Sequence, residues 1–223
     1  MGTYSLLGVA LLLAIGDWVA VAKNWRAAEY FLKPAVMVVI LVWLGWMGGF
    51  SGWMTWFALG ILFSLVGDVI LMLPRLNFLF ALAAFFIAHV AYTIGFNPSL
   101  PPLNLASLAL AIMVALPAIT IYLRVASGLR RSGKTGPFLL SQAYTVAISL
   151  MTFSALLTLL RNEWQPGPAL LVSAGALLFF LSDAILTLNK FVAPIKQGRV
   201  LNTVTYHLGQ ILIVIGASLH FLG

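Results

Sequence analysis

The sequence predicts an all-α integral membrane protein: a polytopic bundle of about eight transmembrane helices, with residues 1–223 forming one membrane domain. Three observations lead to this fold class. The chain is 62% hydrophobic and only 8% charged, whereas soluble domains average about 25% charged residues. Its mean hydropathy is +1.08. A helix needs about 20 residues to cross a bilayer, so a chain of 223 residues accommodates about eight crossings joined by short connections.

Charges, asparagines and Gly-Pro clusters divide the chain into eight apolar segments. The first runs from Tyr4 to Ala22 and lacks the basic start and the small-residue cleavage site of a signal peptide, so we expect it to remain as a true span. The predicted helices cover about residues 3–22, 34–49, 53–73, 77–97, 103–124, 137–160, 167–189 and 200–222.

Basic residues are concentrated in alternate connections between these helices. The first, third, fifth and seventh loops hold eleven of the twelve Lys and Arg residues, and Arg161 alone lies on the other side. By the positive-inside rule we expect both termini to be non-cytoplasmic, in a bacterial inner membrane. The same asymmetry explains the net charge of +7, so no nucleic-acid partner is needed to account for it. The chain has no cysteine, which excludes disulfides and thiol nucleophiles.

Two aspartates, Asp68 and Asp183, lie inside the third and seventh apolar segments. A carboxylate at the centre of a membrane helix costs about 3 kcal/mol on insertion scales, so such residues usually face a cavity or a partner and have a function. At 1.5 Å per residue, both should lie some 8 to 15 Å below the cytoplasmic surface. Polar residues of other helices reach similar or slightly greater depth, namely His89, Tyr92, Tyr206 and Gln210. We therefore expect one shared cavity.

A short similarity links the surroundings of the two aspartates. Residues 63–73 and 178–188 share the pattern Asp-x-Ile-Leu-x-Leu, and the helices that follow carry His89 and His207. The offset of 115 residues is about half the chain, which is compatible with two parallel repeats of four helices each. A third acid, Asp17, lies near the end of the first helix, where it is expected to pair with a loop cation or to reach water.

Two carboxyl groups in a poorly solvated cavity cannot easily both ionise, so one would hold a proton while the other stays charged. Such a pair suits proton transfer. A serine triad is disfavoured because the Gly-x-Ser-x-Gly pattern is missing around Ser64 and Ser182. A zinc site is disfavoured because His89, His207 and His220 lack close ligand spacing, so we predict no metal. Polar contacts that only hold the helices together remain an alternative.

Five ordered segments of the sequence form a recognisable set: Lys33-Pro34 and residues 63–72, 85–92, 175–183 and 206–213. The set runs from about Lys33 to the last helix, and the Gly-Asp and Ser-Asp segments with Ala-His-x-x-Tyr between them make it specific. Together these segments resemble the YhhN-type lysoplasmalogenase transmembrane family. The family topology of about eight helices agrees with the count made above.

The resemblance implies a membrane hydrolase that cleaves the vinyl ether bond of a lysoplasmalogen. The products would be a fatty aldehyde and a glycerophospho-head group such as glycerophosphoethanolamine, and no cofactor would be required. Vinyl ethers hydrolyse when an acid protonates the carbon β to oxygen and water attacks the resulting oxocarbenium ion. A carboxylic acid beside an ionised carboxylate would supply the acid and then the base. We expect a lysophospholipid substrate among membrane lipids.

Residue roles follow from the same resemblance. Asp68 and Asp183 would share the acid and base roles, and His89 would be the third catalytic residue. Lys33 would hold the substrate phosphate as a point charge. The full set of predicted substrate-binding residues is Lys33, Ser64, Tyr92, Ser182, Tyr206 and Gln210.

Two other function classes remain open from the sequence. In a proton-coupled transporter of a small molecule or lipid, Asp68 and Asp183 would form a proton relay between two rocking halves. That architecture favours helices broken at corresponding positions, yet Pro117 in the fifth helix has no counterpart in the first. A structural or assembly protein is disfavoured by three acids within membrane helices.

Overall fold

The computed structural model describes residues 5–73, 78–131 and 138–223, and it confirms the all-α membrane bundle. Eight helices in this part of the chain are long and apolar enough to cross a membrane, and the same residues contain no strand. A 3-10 turn, Thr158–Leu160, follows the sixth helix. The helices are α1 Ser5–Ala22, α2 Arg26–Trp46, α3 Met54–Met72, α4 Phe78–Phe96, α5 Leu105–Arg131, α6 Phe138–Leu157, α7 Pro166–Phe191 and α8 Gly198–Phe221.

The predicted start of the second helix is wrong. Helix α2 begins at Arg26, so Lys33 and Pro34 lie two turns inside it rather than at its first turn. A proline is compatible with a helix start, but the residues before it are good helix formers and continue the helix to Arg26. This first part is also fixed at the bundle surface, since Arg199 donates to both carboxylate oxygens of Glu29 at 2.7 and 2.6 Å.

The fifth helix is longer than predicted. It continues past Arg124 to Arg131, so Arg130 and Arg131, which the prediction assigned to a loop, lie on a helical extension. Arginine has a high helix propensity, and charge ends a transmembrane segment without ending the helix itself. Two residues used in the orientation argument, Arg75 and Lys134, lie outside the described residues.

Consecutive helices pair in the bundle, α1 with α2, α3 with α4, α5 with α6, and α7 with α8. Contacts of α4 with α6 and of α1 with α8 join the two halves. Helix α5 lies at the periphery against α6 and α7, and most of its large apolar residues are exposed. In a membrane these side chains face lipid, because helices satisfy their backbone internally and need no water.

Helices α7 and α8 cross where a glycine of each helix meets the other. A Cβ on Gly175 would lie 2.8 Å from the carbonyl oxygen of Gly209, and a Cβ on Gly209 would lie 2.9 Å from that of Gly175. Any larger residue would push the backbones apart, which is why small residues line close helix crossings in membranes. The crossing fixes Asp183 of α7 and Tyr206 of α8 relative to each other.

Candidate functional site

Asp68 lies at the centre of the first of two buried carboxylate groups. One carboxylate oxygen lies 2.8 Å from the Nζ of Lys33 on α2, and the other accepts a 2.6 Å hydrogen bond from the hydroxyl of Tyr206 on α8. The Asp68 side chain is 1% exposed and that of Lys33 is 12% exposed. The lysine also lies 5.2 Å from the centre of the Tyr206 ring. We call Asp68, Lys33 and Tyr206 the lysine cluster; its charges cancel within one ion pair.

Asp183 lies at the centre of the second group. Its Oδ2 atom accepts a short hydrogen bond from the hydroxyl of Tyr144 on α6, and it lies 3.2 Å from Nε2 of His89 on α4. The same Nε2 is 3.1 Å from the Tyr144 hydroxyl, so the three polar groups form a closed triangle. His89 is fully buried. We call Asp183, His89 and Tyr144 the histidine cluster; its partners are groups that can hold or pass a proton.

The two carboxyl groups are neighbours but do not pair directly. Each has its own set of partners, and no hydrogen bond between them occurs in the described structure. Aromatic rings fill the space between the clusters: Phe179 lies 4.9 Å from the His89 ring and 5.5 Å from the Tyr206 ring, centre to centre. This aromatic layer lies between the clusters, and the cavity that Asp183 lines does not include Asp68, so a single cavity shared by both acids is not observed there.

The two clusters occupy corresponding places in the two halves of the chain. Asp68 on the third helix is held by a residue of α2 and one of α8. Asp183 on the seventh is held by a residue of α6 and one of α4. If α1 to α4 are superposed in order on α5 to α8, α2 matches α6 and α4 matches α8. Each carboxylate thus receives one partner from its own half and one from the other.

A third polar group lies deeper in the bundle and contains no charge. Tyr92 of α4 donates a 2.5 Å hydrogen bond to Oε1 of Gln210 on α8, and Nε2 of Gln210 donates a 3.0 Å bond to the hydroxyl of Ser64 on α3. All three side chains are fully buried. A Cβ on Gly60 would lie 2.4 Å from the Tyr92 ring, so a glycine is required where that ring packs on α3. This group joins α3, α4 and α8.

Two further residues flagged by the sequence have other partners. Ser182 donates a 3.0 Å hydrogen bond to the carbonyl of Asn202 and accepts a 2.7 Å bond from the Asn202 amide, which ties α7 to α8. Asp17 is fully buried, and neither carboxylate oxygen has a hydrogen-bond partner among the described residues. Neither expected outcome for Asp17, an ion pair with a loop cation or contact with water, is observed. Its neighbour Trp18 donates a 3.2 Å hydrogen bond to His207.

A small cavity adjoins the histidine cluster. Its volume is about 30 Å³, and Asp183, Tyr144, Thr145 and Thr187 contribute polar groups to its wall. This volume is large enough for a water molecule, which needs two to four polar partners to be held inside a protein. Asp68 does not line this cavity. The histidine cluster therefore combines a carboxyl group, two proton-carrying partners and space for a small reactant.

Tyr144 is the functional candidate that the sequence analysis missed. A signal was present, because residues 141, 144 and 145 are polar and recur at helical spacing within a membrane-spanning helix. Among the described residues, no group of three His, Cys, Asp or Glu side chains is placed to hold a metal ion.

The fold and these clusters define a class: a polytopic helical membrane protein with carboxylates buried at helix interfaces and held by partners from both halves. A model of the YhhN family matches residues 28–217, and the chain belongs to this family. The chain is 33% identical over 159 residues to lysoplasmalogenase TMEM86B of Sus scrofa, a match that covers 71% of this chain and 61% of the relative.

Two other relatives extend the comparison. Lysoplasmalogenase TMEM86A of Homo sapiens is 30% identical over 163 residues, which cover 71% of this chain and 63% of the relative. An uncharacterized membrane protein YhhN of Escherichia coli O157:H7 is 23% identical over 216 residues, 91% of this chain and 94% of the relative. The matched region thus spans about three-fifths of the first two lysoplasmalogenases. No solved structure matches this chain.

Proposed function

We propose that this protein is a membrane hydrolase that cleaves the vinyl ether bond of a lysoplasmalogen by carboxylic acid and carboxylate catalysis. The observation that carries the proposal is the histidine cluster, in which Asp183, His89 and Tyr144 exchange hydrogen bonds beside a cavity of about 30 Å³. Relatives named lysoplasmalogenase support the substrate class.

In this mechanism the histidine cluster is the proton donor. A proton held among Asp183, His89 and Tyr144 passes to the vinyl carbon β to oxygen, and the electrons of the carbon–carbon double bond form the new C–H bond. The adjacent carbon becomes an oxocarbenium ion, and the carboxylate left behind lies next to this positive charge. Carboxylates act in the same way in glycoside hydrolysis, where one donates a proton and a negative charge stabilises the cation.

The second half of the reaction needs a water molecule and a base. Water adds to the oxocarbenium carbon and loses a proton, giving a hemiacetal that collapses to a fatty aldehyde and a glycerol hydroxyl. The cavity beside Asp183 has room for this water, and the ionised form of Asp183 is the nearest base. The proton that the carboxylate removes restores the starting state, so the net reaction consumes only water.

The lysine cluster has a different task in our proposal. Lys33 neutralises Asp68 in the substrate-free protein, and a substrate phosphate competes with Asp68 for this ammonium group, as a point charge permits. Substrate binding would then leave Asp68 a less compensated carboxylate, whose negative charge stabilises the oxocarbenium ion at a distance, across the aromatic layer, because a low-dielectric interior screens charges weakly. Tyr206 donates to Asp68 and holds it in place for this role.

Other predicted substrate-binding residues enter the proposal with changed roles. Tyr92, Gln210 and Ser64 bond to one another, so binding the glycerol of a substrate would require these bonds to exchange. We propose that they support the helices that carry the two clusters, as Ser182 does with Asn202. By the positive-inside rule we also propose that both termini are non-cytoplasmic. The similarity to an Escherichia coli protein along 91% of the chain supports a bacterial inner membrane.

The direct test measures aldehyde release from lysoplasmalogen by purified protein in detergent. We expect aldehyde and a glycerophospho-head group in equal amounts, and no turnover by Asp183→Asn protein that retains the unfolding temperature of the parent. The control compound is a lysophospholipid with a saturated alkyl ether, which has no double bond to protonate and should not react. An inactive parent protein that moves protons or lipid in vesicles would instead support a transporter.

A further inference from the structure

A membrane-facing cleft between α5 and α6 lies outside the two clusters. It has a volume of about 460 Å³, within the range of about 300 to 1,000 Å³ that is typical of small-molecule sites. Its floor contains Val114 and Ala118 of α5, and its rim contains Ile119, Val146 and Leu150. These rim residues are 50% to 54% exposed, so the cleft opens toward the lipid around the bundle.

The cleft leads to the histidine cluster. Ala118 and Thr145 line both the cleft and the small cavity that contains Asp183 and Tyr144. Two small side chains therefore form the boundary between a lipid-facing groove and the carboxyl group. Ala111, Ala115 and Ala118 share one face of α5 at helical spacing, and their small size makes the groove deep.

A second cleft of similar size provides a comparison for the first. It lies between α4 and α6, has a volume of about 420 Å³ and also opens toward lipid beside Val146 and Leu150. Its wall includes Phe86, Thr93 and Ala143, and it shares no lining residue with the cavity at Asp183. Volume and apolar character alone therefore do not distinguish the two clefts, whereas the wall shared with the cavity at Asp183 does.

We propose that the cleft between α5 and α6 binds the alkenyl chain of the substrate and admits it sideways from the membrane. The inference rests on the proposed function for the identity of the chain. A single unbranched apolar chain fits an apolar groove that opens to lipid at one side and shares the walls Ala118 and Thr145 with the cavity at Asp183 at the other. The enol ether at the head of such a chain would then meet the histidine cluster, while the saturated tail stays among α5 and α6.

Binding is tested without activity, using a label at a single cysteine. Because the chain has no cysteine of its own, Ala115→Cys and Ala143→Cys each place one fluorophore, in the proposed cleft and in the control cleft. The probe is a saturated alkyl-ether lysophospholipid brominated in its chain, since bromine quenches fluorescence at short range. We expect saturable quenching at position 115 that unbrominated lysoplasmalogen reverses, and only the linear detergent-phase background at position 143.

Equal quenching at the two positions would overturn the cleft assignment whether or not the protein hydrolyses lysoplasmalogen. Saturable quenching at position 115 by an inactive protein would retain the chain site and overturn the proposed reaction. The two proposals therefore fail separately.

Kinetics supply the second measurement. Ala115→Phe fills the outer part of the cleft from an exposed position, and we expect it to lower kcat/KM for a long-chain lysoplasmalogen about tenfold, since losing contact with part of an apolar chain costs at least this much. A four-carbon alkenyl substrate should be affected less than twofold. The matched Ala143→Phe protein should behave as the parent with both substrates. A loss at Ala115→Phe that is independent of chain length would contradict the proposal.

Discussion

The two carboxylate clusters occupy the same place in the two halves of the chain, yet their chemistry differs. Asp68 lies 2.8 Å from a lysine and is separated from the cavity that Asp183 lines. Asp183 bonds to a tyrosine and a histidine beside that cavity. The helix before each aspartate supplies Lys33 in one half and Tyr144 in the other. This one difference gives Asp68 a compensating positive charge and gives Asp183 a partner with which it can share a proton.

Under the proposed function, this difference gives unlike tasks to residues that look alike in the sequence. An ammonium at 2.8 Å stabilises the ionised form of a carboxylate, and that form has no proton to give. A carboxyl group among a phenol and an imidazole can hold a proton in any of three places and release it with little movement. The comparison therefore favours Asp183 as the acid and Asp68 as the fixed negative charge.

The largest expected effect is the loss of activity in Asp183→Asn. An amide cannot donate a carboxyl proton, and positioned acid–base groups contribute about 10² to 10⁴ in rate. We expect aldehyde release to fall by at least about 10³. Asp68→Asn should reduce the rate less, by about 10¹ to 10², because it removes a stabilising charge rather than the proton source. The measurement is initial rate in detergent at matched protein concentration.

The relative size of these two losses of activity tests the comparison between the two clusters. A larger loss at Asp68 than at Asp183, in proteins with similar unfolding temperatures, would reverse the assignment of acid and charge. Equal and complete losses of activity at both positions would mean that the two aspartates act jointly as acid and base.

For stability we expect the reverse order, with the lysine cluster more sensitive to substitution than the histidine cluster. Lys33→Met leaves the Asp68 carboxylate buried without its cation, and breaking one partner of a buried ion pair costs about 3 to 5 kcal/mol. We expect a clear drop in the unfolding temperature of the purified protein. Adding Asp68→Asn to Lys33→Met should restore much of the loss, because the unpaired charge is then gone. Additive losses in the double variant would mean that the pair is not coupled.

Much of the fold was predictable because a membrane restricts it. Eight apolar segments and their approximate bounds followed from hydropathy, and the polar residues Asp68, Asp183 and His89 within them are buried in the bundle. The extended starts and ends of α2 and α5 were missed, because helices continue beyond the apolar residues that reveal them. The sequence also could not show which partner each aspartate takes, since that depends on how helices from the two halves pack.

Tyr144 illustrates the same limit within the site. Its position on α6 was visible, but only the packing of α6 against α4 and α7 brings its hydroxyl to Asp183. The aromatic layer of Phe179 was equally hidden, because a phenylalanine in an apolar helix resembles any lipid-facing or core residue.

A middle-sized effect is expected when one hydroxyl is removed from each cluster. Tyr144→Phe and Tyr206→Phe both delete a hydrogen bond to an aspartate, and a bond to a charged group contributes about 1.5 to 3 kcal/mol. Tyr206→Phe should therefore lower the unfolding temperature at least as much as Tyr144→Phe does. Only Tyr144→Phe should also change the pH dependence of kcat, because it alone belongs to the proton-sharing group. Identical pH profiles for parent and Tyr144→Phe would exclude the phenol from proton transfer.

The smallest effect is expected at the uncharged network and supplies the reference for the other three. Tyr92→Phe removes the hydrogen bond to Gln210, and interhelical bonds between neutral groups in membranes contribute about 0.6 kcal/mol on average. We expect a small drop in unfolding temperature and less than a twofold change in kcat, since Tyr92 touches neither aspartate through a described hydrogen bond. The comparison with Tyr144→Phe is matched, because each change removes one buried hydroxyl from a tyrosine at a helix interface. A loss of activity at Tyr92 as large as at Tyr144 would place the neutral network in the reaction, and the contrast between the two carboxylates would no longer locate the chemistry at Asp183.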